Sequence, residues 1–314
     1  MIAERKPNQT TLGNKVSCSG IGLHSGSQVR MVIYPAPAGN GIVFRRKDVP
    51  AAQSLVPAHY AAVCDTNLGT TLRNQHGVTV ATVEHLMAAF WGAGIDNAVV
   101  ELDGPEVPIM DGSSEPFVFM LDCAGTVQLA APRRILHVLR AVEVRDGNSV
   151  ARIEPNTEGE EGCTLAIEIQ FNHAIINRQI SFYDFREVSF KQALSRARTF
   201  GFEHEVMALR SMGLARGGSL DNAIVLGKDN ILNEDGLRYD DEFVRHKALD
   251  CIGDIFQAGC RIDGRFTFLR PGHAINNKLL RALFADASAY AITEEGAMPD
   301  AVFPAIRQPA AAYA

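Results

Sequence analysis

The chain has 314 residues, 46% of them hydrophobic and 21% charged. That much apolar material can bury a sizeable core without disulfide or metal staples, and the length suggests two domains. A net charge of −6 with no run of Lys or Arg argues against general DNA or RNA binding, though not against one anionic ligand in a local basic pocket.

In chain order, Met1 to Thr10 is polar, with no apolar core of a leader, so no signal peptide is expected. Gln28 to Tyr34 alternates and ends at Pro35, and Gly41 to Arg45 follows as a second short strand. Val78 to Ala81 predicts a strand that feeds a helix over Val83 to Trp91, with Thr82 as its cap and Gly92 and Gly94 as its stop. Asn97 to Leu102 returns as a strand, and Glu115 to Cys123 reads as a helix with Pro116 near its start. Ala130 to Arg134 is the linker candidate, dividing an N-terminal domain, 1–130, from a C-terminal one, 131–298.

Beyond that linker the order repeats. Ile135 to Val144, Ser149 to Glu154 and Cys163 to Phe171 read as strands. Glu242 to Ala258 reads as a helix, Arg265 to Leu269 as a strand, and Asn276 to Phe284 as a last helix with Asn276 as its cap. Residues 299–314 are Ala/Pro-rich and expected to be disordered. The fold class expected is α+β: two similar domains, each a small sheet packed with helices, facing each other across a cleft as a β-α-α-β sandwich. Thr199 to Leu226 reads as an insertion near the site. No stretch approaches about 18 apolar residues, so no transmembrane helix is expected. The six cysteines form no CxxC pair and read as reduced thiols of a cytoplasmic protein, most of them small core residues.

The sharpest chemical signal is His246, Asp250 and Asp254, which a helix would carry on one stripe. Burying an imidazole and two carboxylates there is costly unless they are paired or bind a metal. Taken alone, the stripe fits an exposed polar face with an Asp–His pair at least as well. Glu84-His85 opens the earlier helix but matches neither HExxH nor HxxEH. A metal site would therefore be assembled from distant segments, with His85, His246 and Asp250 as three ligands and Glu84 beside them as a base. An acidic residue at a helix N-terminus is the equally ordinary reading of Glu84. His273 follows a strand on a Pro-Gly loop, and Asp254 could orient it and make it an acid if the two halves close on one cleft.

Several blocks, taken together and in order from about Lys15 to Leu283, resemble the UDP-3-O-acyl-N-acetylglucosamine deacetylase family, zinc enzymes of lipid A synthesis in Gram-negative bacteria. They include SCSGIGLHSG from Ser17, TVEHL from Thr82, DGPEVPIMDGS from Asp103, SRARTFGF from Ser195, GGSLDNAIVL from Gly217, DEFVRHKALDCIGD from Asp241 and GHAINNKLL from Gly272. The resemblance implies Zn2+ on His85, His246 and Asp250, Glu84 as general base, and His273 as general acid with Asp254 beside it. It implies that the Thr199 hydroxyl helps hold the oxyanion, that Lys247 contacts substrate, that Phe200 walls the sugar, and that the insertion holds the acyl chain. The expected partner is a lipid-bearing UDP-sugar met by a monomer. Two other readings stay open on the residues: a metal-free nucleotide-sugar binding module, and a zinc amidohydrolase acting on another amide.

Overall fold

The structure, a computed structural model, describes residues 7–294. The tail expected to be disordered lies outside them. Two sheets flank a pair of central helices. The first sheet has five strands in the spatial order Val16–Ile21, Gln28–Pro35, Ala98–Leu102, Ile42–Arg46 and Leu55–Pro57. Strand Gln28–Pro35 alternates as its sequence requires: Val29, Met31 and Ile33 point into the core and their neighbours outward.

The second sheet has seven strands, and five of them repeat the path of the first. Val142–Asp146, Ser149–Glu154, Arg261–Leu269, Cys163–Gln170 and Arg178–Asp184 follow one another as antiparallel, antiparallel, parallel and antiparallel neighbours. The first sheet has the same succession. Arg134–Val138 and Tyr290–Glu294 complete the second sheet. The echo read in the sequence is therefore a repeat of topology. Each repeat also carries its insertion at the same point, after its fifth strand and before its first long helix. In the first half this is a three-stranded sheet, Val63–Asp65, Thr71–Arg73 and Thr79–Val80.

Six α-helices are described: α1 (Glu84–Ala93), α2 (Glu115–Ala124), α3 (Phe190–Ala193), α4 (Glu203–Ser211), α5 (Glu242–Ile255) and α6 (His273–Ala285). The second-half insertion contains α4 between the parallel strands Phe200–Phe202 and Ile224–Leu226, within the stretch expected to be inserted. Helix α1 is apolar nearly all round and correspondingly buried; Gly94 ends it in the left-handed region, at φ 73°. Its principal partner is α5, while α2 rests on α1 and α6 on α5. One apolar core runs without a break from the inner face of the first sheet through these helices to Leu165, Ile167, Phe266 and Phe268 of the second.

Several local expectations give way to tertiary contacts. Thr82 is not the cap of α1: its backbone is left-handed, at φ 57°, and its hydroxyl donates to Glu106 Oε1 at 2.9 Å. Helix α6 begins at His273, so Asn276 lies inside it, where its amide finds a buried carboxylate instead of the helix end. The expected linker stretch is extended and paired, because Thr126–Pro132 forms a ladder with Asn8–Leu12 and Arg134–Val138 joins the second sheet. Ile135 to Val144 is two strands, not one. All six cysteines are free thiols, but only Cys163, Cys251 and Cys260 are buried; Cys18 is half-buried and Cys64 and Cys123 are exposed. No helix among the described residues is long and apolar enough to cross a membrane.

Candidate metal centre and active site

The site forms where the start of α1 meets the middle of α5. The helices approach so closely that a Cβ on Gly253 would lie 2.0 Å from the Glu84 carbonyl oxygen, so only glycine fits there. Glycine in mid-helix costs about 1 kcal/mol of propensity, and here it allows two functional helix segments to touch. The polar stripe of α5, His246, Asp250 and Asp254, is turned inward against α1, and all three residues are buried. An exposed polar face is therefore excluded.

His85, His246 and Asp250 offer donor atoms that all lie within 4.8 Å of one another, and all three residues are buried. Asp250 Oδ1 stands 3.5 Å from His85 Nε2 and 3.4 Å from His246 Nε2. These spacings are longer than charge-assisted hydrogen bonds, which run about 2.7–2.9 Å. They match the edges of a tetrahedron around an ion whose donors lie 2.0–2.2 Å away, about 3.3–3.6 Å. Asp250 Oδ1 is buried and no hydrogen bond reaches it. His246 Nδ1 lies 3.1 Å from the Ala197 carbonyl oxygen, an acceptor, so the ring proton sits there and Nε2 keeps its lone pair. Burial pushes the His246 pKa down to about 4, which keeps the ring neutral, as a ligand must be. The donor set thus fits a divalent ion, and it is the one such group among the described residues.

Beside it stand two proton-handling groups. Glu84 Oε1 faces His273 Nε2 across 3.9 Å. Burial raises the Glu84 pKa, while the neighbouring His273 and His85 oppose that rise. On the far side of the His273 ring, Nδ1 meets Asp254 Oδ2 at 2.8 Å. Burial disfavours the charged imidazole, but the Asp254 and Glu84 carboxylates outweigh it and His273 is raised to about 9. One carboxyl group and one imidazole therefore face each other, both with pKa values raised above the ordinary ones, His273 to about 9.

The remaining expected residues line the same region. Lys247 Nζ donates to Asp250 Oδ2 at 2.7 Å. Burial acts against its charge, yet Asp250 holds its pKa above the ordinary lysine value. The Phe200 ring packs edge-on against Phe243, 5.1 Å between centroids, and lies 6.2 Å from the His246 ring. Thr199 is held through its main chain: its N–H donates to the Gly112 carbonyl at 2.8 Å, and its own carbonyl accepts from Ile224 N–H at 2.8 Å. The structure thus brings the buried Glu84, His85, His246, Asp250 and Asp254 and the half-buried Lys247 and His273 into one cluster, with Phe200 at its border. Two residues not expected at the site join it. Asn276 Nδ2 donates to Asp254 Oδ2 at 2.8 Å, and the Thr70 hydroxyl donates to Asp254 Oδ1 at 2.6 Å. Asn276 was legible as part of the block after Gly272; Thr70, in a loop far along the chain, carried no signal.

Comparison with known proteins bears on the chain as a whole. The family described as LpxC, UDP-3-O-acyl N-acetylglycosamine deacetylase, matches residues 9–285. A protein of Phenylobacterium zucineum strain HLK1 named UDP-3-O-acyl-N-acetylglucosamine deacetylase is 50% identical over 274 residues, 87% of this chain and 92% of the relative. Its namesake from Myxococcus xanthus strain DK1622 is 50% identical over 285 residues, 91% of this chain and 89% of the relative. Another, from Xanthomonas oryzae pv. oryzae strain PXO99A, is 49% identical over 284 residues, 90% and 92% of the two chains. With half the positions shared along nearly the full length of each relative, the chain belongs to the UDP-3-O-acyl N-acetylglycosamine deacetylase family.

Proposed function

We propose that this chain removes the acetyl group from UDP-3-O-acyl-N-acetylglucosamine, releasing acetate and the free amine, as a zinc-dependent deacetylase of lipid A synthesis working in the cytoplasm. The observation that carries the reading is the arrangement of three converging donors, His85, His246 and Asp250, beside a carboxyl group and an imidazole, Glu84 and His273, that face each other across 3.9 Å.

His85, His246 and Asp250 would hold the ion. When bound, zinc supplies a Lewis acid for the amide carbonyl and lowers the pKa of coordinated water to about 7. Glu84 takes the proton of the attacking water; burial raises its pKa, which makes it a stronger base than an ordinary carboxylate. His273, cationic up to about pH 9, gives a proton to the departing nitrogen, which would otherwise leave as an amide anion. Asp254 orients that ring through its Nδ1 and keeps Nε2 directed at the side where Glu84 stands.

Thr199 contributes its hydroxyl to the carbonyl oxygen as charge develops there, from a backbone fixed at both its N–H and its C=O. Lys247 contacts the substrate and balances Asp250. Phe200 walls the sugar, and the strand–α4–strand insertion accommodates the acyl chain, whose buried methylenes are each worth about 0.8 kcal/mol. All of these groups come from one chain, so the catalytic unit is the monomer.

The test is acetate release by the zinc-loaded full chain from UDP-3-O-acyl-N-acetylglucosamine and from the same sugar without its acyl chain. Fast release from the acylated sugar alone is expected. No release from either, with zinc bound in stoichiometric amount, would refute the assignment.

A further inference from the structure

We propose that Thr70 is a positioning residue of this reaction, which with one side chain and one peptide group sets both the base and the acid. The inference rests on the reading of Glu84 and His273 given above. Thr70 N–H donates to Glu84 Oε2 at 3.0 Å, and Thr70 Oγ1 donates to Asp254 Oδ1 at 2.6 Å. Thr70, Glu84 and Asp254 are 2%, 3% and 3% exposed, so water cannot substitute for either bond. The two carboxylates belong to the two helices whose meeting makes the site, and Thr70 touches both from a third segment.

Each bond selects an orientation. A carboxylate has two oxygens and turns about its last bond unless something fixes it. Thr70 N–H occupies Glu84 Oε2, which leaves Oε1 as the oxygen that faces His273. The Thr70 hydroxyl occupies Asp254 Oδ1, which leaves Oδ2 for His273 Nδ1 and Asn276 Nδ2, both at 2.8 Å. The segment itself is wedged in place. Leu68 has a left-handed backbone, at φ 60°, a Cβ on Gly69 would come within 3.0 Å of Glu84 Oε1, and the Thr70 carbonyl accepts from Val83 N–H at 3.4 Å. Misplacing a catalytic group by about 1 Å can cost a hundredfold in rate, which is the scale on which such fixing acts.

The test uses Thr70→Val, which keeps the shape and the N–H bond but removes the hydroxyl, and Thr70→Ser, which restores it. In the zinc-loaded full chain Thr70→Val is expected to lower kcat by about 10- to 100-fold with KM and zinc content unchanged, and Thr70→Ser to recover most of the loss. If Thr70→Val does not fold, Thr70→Ala makes the same comparison. Because the hydroxyl acts through Asp254, Thr70→Val added to Asp254→Ala is expected to lower kcat by less than about twofold further. Wild-type kcat in Thr70→Val beside a crippled Asp254→Ala would overturn the role of Thr70 alone. So would equal losses in Val and Ser, a loss in KM only, or full multiplication of the two effects. Wild-type kcat in Asp254→Ala would overturn the reading of His273 and this inference with it.

Discussion

Replacing Asp254 by Asn tests the acid directly, because it removes a charge and little else. Asp254 accepts from Thr70 on one oxygen and from His273 and Asn276 on the other. An asparagine can present its carbonyl oxygen to His273 and Asn276 and turn its amide toward the Thr70 hydroxyl, which accepts. The shape and the number of hydrogen bonds are thereby kept. What is lost is the largest of the interactions that raise His273 from 6.5 to about 9; burial, which acts the other way, is left opposed chiefly by Glu84. A complete return to the ordinary value would correspond to about 3 kcal/mol. At pH 8 the protonated fraction of the ring would drop from about 90% to about 3%, a loss of about 30-fold in kcat from charge alone. The sign follows from the role: an acid works below its pKa, so activity falls as pH rises through it, and the variant's alkaline limb moves acidward from about 9 by between one and two and a half units. The assay is the pH dependence of kcat/KM for acetate release, with zinc content measured in the same preparations. An alkaline limb at the wild-type pH in Asp254→Asn, with zinc retained, would refute the claim that this carboxylate keeps His273 charged.

Other consequences separate metal binding from proton transfer. His273→Ala is expected to retain stoichiometric zinc while kcat falls by about 10²- to 10⁴-fold, measured by metal analysis beside turnover. Asp250→Ala does the reverse first: it removes a ligand, leaves Lys247 without its partner, and yields protein with little zinc on metal analysis. Chelation of the wild-type enzyme is expected to abolish acetate release and lower Tm, and added zinc to restore both, since an ion bound only by the folded chain stabilises it. Gly253→Ala forces a methyl group into the Glu84 carbonyl, 2.0 Å away, and overpacking of this kind costs about 1–3 kcal/mol. Thermal unfolding should show a Tm lower by several degrees, with activity lost even at temperatures where the protein stays folded, because α1 carries Glu84 and His85 away from α5.

What could be read locally followed the period of each element. The alternation of Gln28–Pro35 gave its buried face, and four-residue spacing put His246, Asp250 and Asp254 on one stripe of α5. The repeated order of strands and helices was visible as topology even though the two halves share few residues. The errors came where a side chain had two possible partners. Thr82 and Asn276 both suit a helix end, but each is buried beside a carboxylate, and a buried charge offers a hydroxyl or amide more than a solvated backbone group does. The linker stretch looked open because its ladder partner, Asn8–Leu12, lies at the other end of the first half.

The amino-acid sequence alone determined which groups were available: two imidazoles and a carboxylate able to bind a cation, a glutamate next to one of them, and a histidine after a Pro-Gly turn. Whether the α5 stripe faced water or the interior was decided only when α1 and α5 packed together, since helical spacing defines a face but not its neighbour. That packing depends on one glycine, and it brings His85 of α1 to His246 and Asp250 of α5, with Asp250 Oδ1 3.4–3.5 Å from both imidazole Nε2 atoms in a place water barely reaches. The contribution of Thr70 belongs wholly to the tertiary structure, because a hydrogen bond between residues far apart in the chain leaves no period, spacing or composition to read.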